Sequence, residues 1–149
     1  MPASSAYELI TAVMATADAF LRESQRLFRP YRLTAAQFNV LNILAERPAG
    51  LSQRELGDLL VVDRSNVTGL LDRLEKAGWV RRADHPKDRR IYRILLTVAG
   101  RQLWGEVQPR YLAVVEQVAR PLTVRQRRDC IAWLQTLEAH AGNWKLPET

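Results

Sequence analysis

A mainly α-helical fold with one two-stranded β hairpin is what the sequence predicts, and three observations carry it. Apolar residues recur at spacings of three and four through most of the 149-residue chain. Helix-capping residue types stand before these stripes, at Ser5, Thr34, Ser52, Asp63, Thr97 and Thr123. Between Gly78 and Thr97 the apolar period falls from that of a helix to that of a strand.

The first helix opens on a capping box of Ser5 with Glu8 and ends at Pro30. Leu9, Ile10, Val13, Met14, Ala17, Phe20, Leu21, Ser24, Leu27 and Phe28 form its broad apolar stripe. Such a helix is a rod of roughly 36 Å, long enough to reach beyond its own core. Thr34 with Gln37 opens a second helix through Phe38, Leu41 and Leu44, closed by Pro48 and Gly50. Ser52 with Glu55 opens a third of about two turns, with Leu51 and Leu56 as a hydrophobic staple and Leu56, Leu59 and Leu60 facing inward.

Asp63 caps the fourth helix, with Val62 and Val67 again spaced as a staple. Val67, Leu70, Leu71, Leu74 and Ala77 face the core, and Gly78 occupies a left-handed helix end. A turn as short as Val61-Val62-Asp63 makes the two helices cross steeply, which is helix-turn-helix geometry. Trp79 to Ala83 and Ile91 to Leu96 are strands, and the run DHPKDRR over 84–90 is the charged loop of the hairpin, or wing, between them. Thr97 caps a long fifth helix carrying Leu103, Trp104, Val107, Tyr111, Val114, Val115 and Val118, with Pro109 expected to kink it. Thr123 with Gln126 opens the last helix, whose apolar face holds Cys130, Ile131, Trp133, Leu134 and Leu137. Cys130, central on that face, is expected to be buried. The four tryptophans are expected in the core or in dimer packing.

Composition narrows the function. No apolar run approaches the roughly 18 to 20 residues of a membrane span. A single cysteine leaves no internal disulfide, so a cytoplasmic home is expected. His85 and His140 are isolated, and no cluster has metal-ligand spacing. Neither a nucleophile motif, a glycine-rich phosphate loop nor a paired catalytic carboxylate is visible, so neither an enzyme nor a bound cofactor is expected. The net charge of +6 favours an anionic partner, nucleic acid above all. Much of the basic excess surrounds the wing, where Arg81, Arg82, Lys87, Arg89, Arg90 and Arg93 outnumber Asp84 and Asp88.

With the apolar residues of the fourth helix turned inward, its outer face is Arg64, Ser65, Asn66, Thr68, Gly69, Asp72, Arg73 and Lys76. A major groove about 12 Å wide admits a helix, and the N-terminal side chains of that helix reach base edges. Ser65, Asn66 and Thr68 can bond base donors and acceptors, while Arg64 and Arg73 suit guanine or phosphate. Gln53 and Arg54, opening the third helix, suit the DNA backbone. Lys87, Arg89 and Arg90 at the hairpin tip suit a second contact, and Asp88 is expected to pair with an arginine and support the wing.

The stretch LSQRELGDLLVVDRSNVTGLLDRLEKAGWVRRADHPKDRRIYRILLTVAG resembles the core of the MarR family of bacterial winged helix-turn-helix transcriptional regulators. DRSNVTGLLDRLEKAGWV, the HPKDRR wing and the LT-x-x-G opening of the next helix are its most specific parts. The resemblance implies one domain over 1–149, with a winged DNA-binding lobe at 33–97 and dimerisation helices at 4–29 and 98–141. It implies a homodimer on a pseudo-palindromic operator, a repressor released by a small aromatic or phenolic effector, and Arg90 as the wing arginine of the minor groove. Met14, Phe20, Tyr31, Phe38 and Trp104 are the residues expected around an effector pocket. A winged helix used as a protein-interaction module, without sequence-specific DNA binding, is the alternative reading.

Overall fold

The computed structural model describes residues 4–61, 64–85 and 88–145, the side chains of Arg64, His85, Asp88, Arg89 and Arg90 excepted. Its elements are α1 (Ser5–Phe28), α2 (Ala35–Ala45), β1 (Leu51–Ser52), α3 (Gln53–Leu59), α4 (Val67–Lys76), β2 (Val80–His85), β3 (Asp88–Leu96), α5 (Val98–Ala119) and α6 (Val124–Ala141). Short 3₁₀ turns at Arg29–Tyr31 and Arg64–Asn66 follow α1 and precede α4. No helix among the described residues is long and apolar enough to cross a membrane.

Local chemistry sets the helix starts. Complete capping boxes join Thr34 with Gln37, Ser52 with Glu55 and Thr123 with Gln126. The cap of α1 is Ser4 rather than Ser5. Its extended backbone lets the hydroxyl accept from the Tyr7 N–H at 3.2 Å, and Ser5 is already helical. Thr97 caps α5, its Oγ1 accepting from the Gly100 N–H at 3.0 Å.

The chain divides into two compact units, Met1–Tyr111 and Leu112–Thr149. In the first, Val40, Leu41 and Leu44 of α2, Leu56 of α3 with Leu60 at its C-cap, and Leu70, Leu71 and Leu74 of α4 form a fully buried core. Leu59 is exposed instead of inward. The helix stops there, and Leu60, with extended backbone at the C-cap, takes the inner place. Phe28 is the one buried residue of α1; it stacks on Phe38 at 4.8 Å, and Tyr111 lies 5.0 Å from Phe38. Leu9, Ile10, Met14, Phe20 and Leu21 are exposed.

The sheet has three antiparallel strands in the order β1-β3-β2, not two. β1 is two residues long, pairing Leu51 with Ile94 and Ser52 with Arg93. Arg93 Nη1 adds bonds to the carbonyls of Ala49 and Gly50 at 2.8 and 2.9 Å. Trp79 precedes β2, and the strands run further than expected: Asp84, His85, Asp88, Arg89 and Arg90 are strand, with an irregular register between Asp84 and His85. Cross-strand pairing reaches Asp84 with Tyr92 and His85 with Asp88.

The root of the hairpin is bonded on three sides. The Trp79 N–H bonds the Leu74 carbonyl and the Gly78 N–H bonds that of Glu75, a Schellman closure with Gly78 at φ +78°. Thr97 donates its hydroxyl to the Gly78 carbonyl at 2.6 Å and its N–H to the Trp79 carbonyl at 3.1 Å. Gly100 is buried against that same carbonyl, so a Cβ placed on it would stand 2.0 Å from the oxygen.

The second unit holds the end of α5 and all of α6. Arg127 pairs with Glu116 at 3.0 Å and bonds the carbonyls of Ala119 and Leu122. No residue of α6 is buried, and Leu112, Val118, Ile131, Trp133 and Leu134 are exposed. Cys130, expected inside, is a free thiol of intermediate burial. Trp144 is exposed as well, while Trp79 and Trp104 pack against the core of the first unit. Pro109 lies inside α5, which continues through it.

Candidate nucleic-acid interface

The expected reading face starts differently from a simple helix. Arg64–Asn66 is a 3₁₀ turn, Asn66 is the N-cap of α4 without a side-chain capping bond, and α-helical geometry begins only at Val67. Ser65 and Asn66 therefore sit ahead of the first α-turn, not within it. The expected cap Asp63 and the staple residue Val62 lie outside the described residues.

Ser65, Asn66, Thr68, Asp72, Arg73 and Lys76 are exposed together on one side, with Gly69 half-buried among them. The Asn66 amide lies over Gly69, where a Cβ would stand 2.6 Å from its Oδ1. Gln53 Nε2 donates to Thr68 Oγ1 at 2.7 Å, which ties the start of α3 to the first turn of α4. A hydroxyl that accepts one bond keeps its own proton to donate elsewhere. Gln53, exposed Arg54, Gly57, Asp58 and Val67 line an open depression between the two helices. The turn is anchored from behind by the Val61 N–H, which donates to Asn39 Oδ1 at 3.1 Å.

Of the wing residues, Lys87 and the side chains of Asp88, Arg89 and Arg90 lie outside the described residues. The wing instead reveals a residue that spacing alone had not singled out. Arg82 of β2 reaches α4, pairing through Nη2 with Asp72 Oδ1 at 2.6 Å and through Nη1 with Glu75 Oε2. Its backbone N–H also donates to Glu75 Oε1 at 3.1 Å. The hydrogen bond to Asp72 raises the Arg82 pKa above its usual value; burial opposes this, and Glu75 adds to the rise. The sequence signal for this clamp was two acids three apart on a helix otherwise suited to an anionic partner.

The expected pocket residues do not gather in one place. Phe38 is buried in the core, and Tyr31 and Trp104 pack against it. Trp104 Nε1 donates to Asn42 Oδ1 at 3.0 Å. The Tyr31 hydroxyl is buried without a hydrogen-bond partner among the described residues, and Arg110 lies 5.7 Å from its ring centre. Met14 and Phe20 are exposed on α1, outside this cluster. Among the described residues, no group of His, Cys, Asp and Glu could hold a metal ion.

Comparison with known proteins agrees with this architecture. The MarR family model matches residues 33–92. The HTH-type transcriptional regulator TtmR of Methylorubrum extorquens is 38% identical over 150 residues, spanning 98% of this chain and 75% of the relative. The HTH-type transcriptional regulator PecS of Dickeya dadantii is 32% identical over 124 residues, spanning 82% of this chain and 75% of the relative. Among solved structures, a mutant E. coli MarR in complex with operator DNA superposes with a TM-score of 0.77 at 27% identity, over 87% of this chain and 93% of that one. With relatives this similar over most of their length, the chain belongs to the MarR family of transcriptional regulators.

Proposed function

We propose that the protein is a homodimeric transcriptional repressor that reads a pseudo-palindromic operator and is released by a small aromatic or phenolic effector. One observation carries the reading of DNA: the second helix of a helix-turn-helix presents an exposed polar face, with Thr68 on its first turn held by a hydrogen bond from Gln53. Ser65, Asn66 and Thr68 would meet base edges, while Arg64, Arg73, Gln53 and Arg54 would meet guanine or phosphate. Lys87, Arg89 and Arg90 would bring the wing to the minor groove, where a narrow groove favours arginine, with Asp88 bracing them. The E. coli relative solved on operator DNA supports the same partner.

Pairing of two chains is supported by apolar surface that each unit leaves uncovered, at Leu9, Ile10 and Phe20 in one and at Ile131, Trp133 and Leu134 in the other. A symmetric pair would cover such faces. On this reading the dimerisation helices are 4–29 and 98–141, around a DNA-binding lobe at 33–97. A pair seated on a promoter represses by excluding other proteins. An effector releases DNA only if it binds the DNA-free form more tightly. The Tyr31 hydroxyl, buried at the edge of the core without a hydrogen-bond partner among the described residues, is a polar group that such a ligand could engage.

Selection of bound duplex fragments from the source genome tests this directly. The expected result is an inverted repeat with half-sites about one helical turn apart, bound with a steep salt dependence. A phenolic or salicylate-like compound should then lower operator affinity while raising the melting temperature of the free protein. Recovery of no preferred duplex would favour a protein-interaction module instead.

A further inference from the structure

Asp72 and Glu75 are out of place on a helix that faces DNA. Asp72 stands one turn beyond Thr68 on the same side of α4, and its side chain is 59% exposed. Glu75 follows at 38% exposed. Duplex DNA carries one negative charge per roughly 1.7 Å of axis, so two free carboxylates there would repel it. Arg82 meets both. Its side chain is only 25% exposed, and its guanidinium is directed at these two acids. Because Arg82 belongs to β2, the same contact fastens the wing strand to α4.

We propose that Arg82 is a positioning residue for DNA binding. It neutralises the carboxylates of α4 and latches the wing to that helix, so that both meet the duplex as one body. Arg82 makes no phosphate contact of its own; it acts through Asp72 and Glu75. The inference rests on the proposed DNA-binding role, and its test separates the two.

Four proteins are compared on random duplex and on the selected operator across a salt series: wild type, Arg82→Gln, Asp72→Asn with Glu75→Gln, and the three substitutions together. Arg82→Gln should weaken both duplexes about tenfold at low salt and flatten the slope of log affinity against log salt. In the background lacking both acids the same substitution should change affinity by less than about twofold, since neighbouring groups acting as a unit are not additive. Arg82→Lys keeps the charge without the planar fork, so it should retain the wild-type salt slope with a loss of about threefold. That variant carries the test if Arg82→Gln does not fold. An equal loss in both backgrounds would mean that Arg82 touches phosphate itself, and wild-type binding by Arg82→Gln would remove its role altogether. Either result overturns the inference and leaves DNA binding intact. Failure of the wild-type protein to bind any duplex would sink the proposed function itself.

Discussion

α4 and α1 carry the same kind of apolar stripe, and only α4 finds cover for it. Within ten residues α4 buries Leu70, Leu71 and Leu74 against the core of its unit. Across 24 residues α1 buries Phe28 alone and leaves Ile10 47% and Phe20 54% exposed. Burial of a side chain of this size is worth about 1.5–3 kcal/mol, and α1 leaves most of that unrealised within one chain. Periodicity thus records that a face is to be covered without recording what covers it. For α4 the cover is the rest of its lobe; for α1, on the proposed reading, it is a second copy.

Three substitutions sharpen this contrast. Leu74→Ala removes a buried side chain from the inner face of α4 and should cost about 2–5 kcal/mol in urea or thermal unfolding. A loss below about 1 kcal/mol would mean that the lobe is loosely packed. Ile10→Asp puts a carboxylate on the open face of α1. Sedimentation over a concentration series should show self-association weakened by about 2 kcal/mol or more, since an unpaired charge would enter an apolar contact. Unchanged association would place α1 outside the interface. Asn66→Ala, on the outer side of α4, should cost about 1–3 kcal/mol on the selected operator and almost nothing on random duplex. Equal losses on both would strip Asn66 of a reading role.

Much of the fold was legible because its signals are local. Thr34 with Gln37, Ser52 with Glu55 and Thr123 with Gln126 act within one turn, so their spacing contains the whole interaction. Ser4 and Ser5 were harder to separate: adjacent residues of the same type differ only in which one adopts extended backbone. β1 was not legible, because two residues cannot display a period of two; it exists through its pairing with Ile94 and Arg93, more than forty positions away in sequence. The strands around the wing tip were hidden by their charge, which resembles that of a solvated loop. At the candidate interface, spacing along α4 brought Thr68, Asp72 and Arg73 to one side. It could not show that Gln53 would hold Thr68, or that Arg82 would pair with both Asp72 and Glu75.

Gly100 makes one position of this chain closed to sequence drift. Any side chain there would drive into the Trp79 carbonyl, whereas Val98 in the same turn is exposed. The joint between wing and α5 is therefore inherited as a piece. A chimera that gives this lobe the C-terminal helices of another relative would keep Thr97 through Gly100 with the lobe and splice after them. Splicing between Thr97 and Gly100 would part the hydroxyl from the glycine that together close the wing root, and the graft would be weakest at that seam.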